Sequence, residues 1–398
     1  MMKKLLLLLS LFHLPFYILH AQGAWTQKAN LPDTAREKPV GFGIGSKGYY
    51  GLGVSITGVH FRDLWEFDPF TNTWTQKANF GGSGRWAAFS FVIGTKAFVG
   101  TGFATTYVQD FWEYDQTANT WTQKANFGGG ARYAAAGFSV GGKGYAATGY
   151  SNTALQDLWE YDPSQNTWTA KANFPGGARS HAVGFTIGNK GYISSGGGLN
   201  SVYYNDLWQY DPSSNTWSQL ANYSGNGRTT SAGFSIGNYG FVGTGWTPSN
   251  GATNDFWQYD PLGNSWMQIA SFPPGVREGG VGFSVGSKGY FGTGNDQTSG
   301  YFNDLWEYAL DPTAVTGSKQ FDCSVFPNPV HVTCTFAFAN FIAGMQCSIY
   351  DLEGKKLREE QVSDLTFTFY RNDLPPGIYF YRITSGVKQL SSGKLVIE

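Results

Sequence analysis

Apolar and polar positions alternate along this chain in short runs that change character in a fixed order. One run, such as "AAFSFVIG" (Ala87–Gly94), is apolar at nearly every position. That is the pattern of a strand buried on both faces. A glycine turn such as Gly188–Gly191 follows, suited to a tight hairpin needing positive φ. A second strand of the "YISSG" or "FVGTG" type comes next, then a third, "DLWEY" (Asp157–Tyr161). "DPSQN" after it places proline at a turn's first corner and asparagine where left-handed geometry is needed. The last run, "TWTQKA", alternates polar and apolar residues, as a solvent-facing strand should.

This four-strand sequence recurs. Trp65, Trp112, Trp159, Trp208, Trp257 and Trp306 mark one series, spaced 47, 47, 49, 49 and 49 residues. Trp25, Trp74, Trp121, Trp168, Trp217 and Trp266 mark a second. Arginines 36, 85, 132, 179, 228 and 277 mark a third, and glycines 53, 102, 149, 196, 245 and 294 a fourth. A period near 50 with four strands per unit predicts an all-β propeller of six blades. The sixth unit lacks its "NTW" strand, whereas "AWTQKAN" (Ala24–Asn30) stands alone before the first. Pairing these two would complete the sixth blade and leave no raw sheet edge.

Arginine to glycine is 17 residues in all six units, and tryptophan to next arginine is always 11. Only the stretch from that glycine to the "DLW" aspartate varies, at 10, 8, 8, 10, 10 and 10 residues. Fixed lengths imply scaffold. The variable loop between strands two and three, with the strand four to one connection on the same rim, is where function is expected.

Composition narrows the class. Gly 54 and 17% aromatic residues suit short strands and tight turns, and a net charge of −1 removes the electrostatic case for nucleic acid. Lys3 and Lys4 before an apolar run ending near Leu19, with cleavage expected after Ala21, read as a secretory signal over residues 1–21. No later run approaches the roughly 20 apolar residues of a spanning helix, so no transmembrane segment is expected in the mature chain. Cys323, Cys334 and Cys347 all lie near the C-terminus; export permits one disulfide, in a pairing the sequence leaves open.

The glycine end of strand two, the "DLWEYDP" strand and the "NTW" strand together resemble the kelch family of β-propellers, which includes the central domain of galactose oxidase. The resemblance spans about Ala24 to Leu310 and implies a fold more than a function, since such propellers serve as enzymes, adaptors and glycan binders. The tail is different. "FPNPV" (Phe326–Val330), "DLEGK" (Asp351–Lys355), "LPPGIYFYRI" (Leu374–Ile383) and a strand ending at Glu398 read as a small β-sandwich. They resemble the C-terminal sorting domain of the type IX secretion system, which implies handling by that machinery and delivery to the outer cell surface or the medium. The expected organisation is a signal at 1–21, a propeller at 22–311, a linker at 312–319 and a sorting domain at 320–398.

Chain direction puts each repeat arginine and each "DLW" aspartate on the same rim. Arg36, Arg85, Arg132, Arg179, Arg228 and Arg277 are therefore candidate ligand-binding residues, because a guanidinium grips carboxylate or phosphate in a bidentate fork. The alternative, favoured on the sequence, pairs each with an aspartate of the series Asp63, Asp110, Asp157, Asp206, Asp255 and Asp304. Departures from the repeat supply further candidates. Glu37 and Glu278 follow the arginine in units one and six, which become neighbours on ring closure. With His60 and Asp296 in nearby loops they are candidate acid–base residues. Trp86 and Trp246 fall outside the periodic series and are candidate binding residues, suited to stacking on sugars or anchoring a protein.

No cofactor or metal is expected: the propeller has only His60 and His181 and no cysteine, so the ligands of a copper site like that of galactose oxidase are missing. The favoured reading is a non-catalytic module that binds glycan or a surface protein through its rim loops. An enzyme on an acidic sugar, mutarotase- or lyase-like and centred on the arginines, is the second reading, and a structural surface protein the third. Deleting residues 320–398 should abolish appearance on the cell surface, scored by labelling intact cells; undiminished display would refute the sorting assignment.

Overall fold

A computed structural model of the chain describes residues 23–310 and 323–398, except 299, 339–340, 343, 352–354 and 387. The predicted signal and linker lie outside the described residues. The chain divides into two compact units, Met1–Ala314 and Val315–Glu398.

The first unit is an all-β propeller of six four-stranded antiparallel blades. Blade one runs Val40–Ile44, Lys47–Gly51, Leu64–Asp68 and Thr73–Gln76, from the axis outward. Blades two to five repeat that order along the chain. Blade six is completed from the other end: Ala24–Lys28 pairs with Leu305–Ala309, with Ala24 opposite Ala309 and Lys28 opposite Leu305. The predicted closure by the N-terminal strand is thus observed, and it leaves the ring without an open seam.

Three recurrent bonds join neighbouring blades. The second tryptophan of each repeat donates its indole N–H to an alanine carbonyl of the preceding blade, at 2.7–3.3 Å in all six cases. In five blades the "NTW" asparagine accepts the N–H of that same alanine at 2.9–3.0 Å. The motif is therefore a clamp that satisfies both backbone groups of one residue in the preceding blade. Nearer the axis, each marked glycine donates its N–H to the carbonyl of the next blade's arginine, at 2.7–2.9 Å, around the whole ring. These glycines have φ of 84° to 107°, which a side chain tolerates poorly.

The second unit is a β-sandwich. Three strands (Cys323–Phe326, Thr333–Phe338, Thr366–Tyr370) face four (Met345–Tyr350, Lys356–Gln361, Gly377–Ser385, Lys388–Ile397). Phe336, Ile349, Ile383 and Leu395 are wholly buried in its core. The "FPNPV" motif has a mechanical role there. The Asn328 side chain donates to the Lys394 carbonyl at 2.9 Å and accepts the Val396 N–H at 2.8 Å, so it pairs with the last strand as a backbone would. Cys323, Cys334 and Cys347 are free thiols, and burial pushes the first two up to about 11, so they stay protonated and unreactive.

The ring bond predicts a graded cost for glycine. A Cβ on Gly149 would lie 2.9 Å from the Tyr133 carbonyl oxygen, whereas Gly141, at φ 59° in a hairpin turn, has open space around it. Gly141→Ala should cost about 1 kcal/mol from backbone conformation alone, and Gly149→Ala about 2 kcal/mol or more. Thermal melting of both variants checks this; equal costs would mean that the close approach contributes nothing.

Candidate functional site

The rim that carries the variable loops also receives the start of each innermost strand, and the arginines stand directly before those strands. They are not open to a ligand. Each is 0–1% exposed. Nη1 of each donates to its aspartate's Oδ1 at 2.5–2.8 Å, always within one blade. Nη1 also donates to the carbonyl at the end of strand two, at 2.8–3.1 Å. The aspartate's other oxygen accepts the indole N–H of the "DLW" tryptophan at 2.7–3.1 Å. Burial raises the pKa of Asp110 and Asp255, but Arg85 and Arg228 outweigh it and hold both below the ordinary range.

In place of an open crown, Arg36, Arg85, Arg132, Arg179, Arg228 and Arg277 are each paired with an aspartate, the alternative favoured on the sequence. Stripping a buried ion pair of one partner costs roughly 3–5 kcal/mol. A new charge-assisted hydrogen bond returns only about 1.5–3 kcal/mol. The guanidinium groups therefore stay with their aspartates, and the crown gives way to six internal clamps.

What faces the axis is the second residue after each arginine: Lys38, Ala87, Ala134, His181, Thr230 and Gly279. All six have φ of 50° to 64°, and N–H to carbonyl bonds of 2.6–3.1 Å link them in turn from Thr230 through Gly279, Lys38, Ala87 and Ala134 to His181. They surround a cavity of about 100 Å³ at the mouth of the central channel. Three contribute chemistry to it. The Lys38 ammonium lies 2.8 Å from the Glu37 carboxylate and 5.2 Å from the centre of the Trp86 ring. Thr230 donates to Glu278 at 2.9 Å. His181 reaches the mouth with its Nε2 buried and unpartnered, while its Nδ1 lies 3.3 Å from the Ser180 hydroxyl. Burial, with the Lys38 charge adding to it, lowers its pKa to about 3, so the ring is neutral.

Glu37 and Glu278 do meet across the seam between blades one and six, within one polar cluster. Asn295 donates to Glu37, Gln297 donates to Glu278 at 2.6 Å, and Tyr301 hydrogen-bonds Glu37. Burial first, and then the charges of both glutamates, push the Tyr301 hydroxyl up to about 12. The other two acid–base candidates have further contacts of their own. Asp296 accepts the N–H groups of Thr298 and Gly300 at 2.9 and 3.3 Å, closing its own loop. The His60 ring stands edge-on to Phe103 at 6.2 Å and belongs to a group of aromatics.

That group is continuous. Trp86 contacts Phe103 and Tyr133 with ring centres 5.3 and 5.1 Å apart. Tyr133 stacks on Tyr107 at 5.6 Å, meets Tyr150 at 5.7 Å, and reaches His181 at 5.5 Å. All five aromatics are half-buried, so each is held by neighbours while part of it stays open. Trp246, the other aperiodic tryptophan, packs on Tyr203 at 5.4 Å in a separate pair.

Comparison with known proteins agrees with this architecture. Residues 324–398 match the secretion system C-terminal sorting domain, and residues 195–222, from the end of strand two through strand four of blade four, match the kelch motif. The solved structure of YjhT superposes with a TM-score of 0.58 at 17% identity, covering 69% of this chain and 95% of that one, which shows a shared fold. No curated protein matches the chain in sequence. The chain is thus a β-propeller with a kelch motif match in its fourth blade, followed by residues that match a secretion sorting domain.

The sorting-domain match places the protein among type IX secreted proteins, at the cell surface or outside it. No helix among the described residues is long and apolar enough to cross a membrane. Sequence reasoning singled out Trp86, Glu37 and Glu278 on this propeller but passed over their neighbours Lys38, His181 and Thr230. The signal was present: the second position after a constant arginine holds five residue types in six repeats.

His181 makes the propeller's stability depend on pH. Its folded pKa is depressed below the ordinary 6.5, so between pH 6.5 and about 3 the unfolded chain binds a proton that the folded chain does not. Stability must then fall as pH drops through that window, by up to about 1.4 kcal/mol per unit. Denaturant unfolding at pH 7 and pH 5 should show the loss in the native chain, and His181→Gln should remove most of it. An unchanged slope in the variant would mean that His181 is not buried as a neutral ring.

Proposed function

We propose that the propeller is a non-catalytic carbohydrate-binding module displayed by its sorting domain on the cell surface or released from it. One observation carries the reading: an aromatic platform (Trp86, Phe103, Tyr107, Tyr133, Tyr150) runs without a break into a polar mouth bearing Lys38, His181 and Thr230. Rings held in place by packing bind a sugar's C–H face at little entropic cost, while nearby amide, hydroxyl and carboxylate groups take its hydroxyls. The enzyme reading has less support. It needed free arginines and a poised acid and base. The arginines are paired, Glu37 is tied to Lys38 and Asn295, Glu278 to Thr230 and Gln297, and the nearest histidine stays neutral.

A glycan array probed with the mature, full-length protein tests this. The native chain should retain a limited set of saccharides. Trp86→Ala should weaken that retention about tenfold, whereas Trp246→Ala, in the separate pair, should change it less. No retention of any saccharide by the native chain would remove the sugar reading.

A further inference from the structure

The rim is not uniform. Blades two and three have the short loops between strands two and three, eight residues from glycine to aspartate, and the other four have ten. The longer loops carry added structure: a short helical turn at Leu199–Ser201 in blade four and a small ribbon of Trp246–Thr247 with Gly251–Ala252 in blade five. Blade one's loop exposes Ile56 and Val59 (69% and 53%), and blade four's exposes Leu199 and Val202 (52% and 46%). Blades two and three lie between those two, and they carry the aromatic platform. The mouth is therefore flanked by longer loops on four blades and by a stretch of shorter loops with aromatic rings on two.

The geometry points to recognition of the end of a glycan chain. This rests on the sugar-binding reading and adds direction to it. The terminal unit seats over the mouth, where Lys38, Thr230 and the unpartnered Nε2 of His181 meet its polar substituents. The next units leave across the side with shorter loops, over Trp86 and Tyr133 and then Tyr107 and Tyr150. Three features support an end rather than a mid-chain segment. The polar groups and the platform meet on one side of the axis only, through the Lys38–Trp86 and Tyr133–His181 contacts. A chain crossing the mouth would have to leave past the longer loops opposite. The cavity of about 100 Å³ has room for a substituent, and the channel below it is walled by backbone and by small or aliphatic residues such as Gly137, Gly184 and Ala232.

The experiment uses the mature, full-length protein and linear oligosaccharides of one to six α- or β-linked hexose units. Each is free in solution, tethered through its reducing end or tethered through its other end, with cyclic glucans as end-less controls. Affinity should rise over the first three or four units and then level. One tethering direction should abolish binding, and cyclic glucans should bind at least tenfold more weakly than linear chains of the same linkage. Tyr133→Ala should flatten the gain with length, weakening chains of three or more units several-fold more than the single unit. Lys38→Met should weaken all lengths alike, with melting temperature measured to confirm that both variants fold. Equal binding in both tethering directions, or of cyclic and linear chains, overturns end recognition and leaves sugar binding intact. Absence of binding to every saccharide overturns both.

Discussion

Everything in the propeller depends on an arginine that acts twice. Its guanidinium ties the end of strand two to the aspartate opening strand three, inside its own blade. Its backbone carbonyl accepts the N–H of the previous blade's glycine. One residue thus fixes both the internal geometry of a sheet and its angle to the next. A buried guanidinium needs several acceptors to offset its lost hydration, and each arginine has them, together with an aromatic ring 3.6–5.2 Å from its charged carbon. The aspartate is held from its other side by the tryptophan two residues on, which explains why aspartate and tryptophan recur together. With Nη1 of every arginine bonded to both carbonyl and carboxylate, these groups specify one arrangement of the loops they anchor.

The same constraint explains what could be read from the sequence. Blade number, strand order and closure were legible because they follow from residues that repeat, and repetition reports packing. The aspartate–tryptophan and asparagine–tryptophan spacings were legible as motifs, though not as the clamps they make, since Trp74 and its partner Ala29 lie 45 residues apart. The role of the arginines is only half legible in the sequence, which favours pairing without excluding a crown. A rim position and a one-to-one count of aspartates suit both a crown and a set of pairs, and only burial separates them. The sequence does not mark Lys38 and His181 as site residues, because a left-handed backbone turn aims the second position at the axis and no periodicity of side chains announces it. For Asp296 and His60 the sequence offers only loop membership, which does not say where a side chain points.

Around the mouth, the ring bonds also restrict how a ligand can be held. The N–H and carbonyl groups of Lys38, Ala87 and Ala134 are occupied by neighbours in the adjoining blades. They have little left to offer a ligand, so discrimination at the mouth must come from side chains. Side chains there are also what differs between blades: glutamate and lysine in blade one, tryptophan in two, tyrosine in three, histidine in four, threonines in five and glutamate in six. A six-fold frame held by its own backbone bonds can vary these positions at little cost to its stability, because none of them belongs to the arginine, glycine or tryptophan clamps. The shortened loops follow the same logic, since they change the rim between two fixed anchor points. Symmetry in this molecule is thus the part that holds it together, and the chemistry a ligand would meet is confined to the few places where that symmetry is broken.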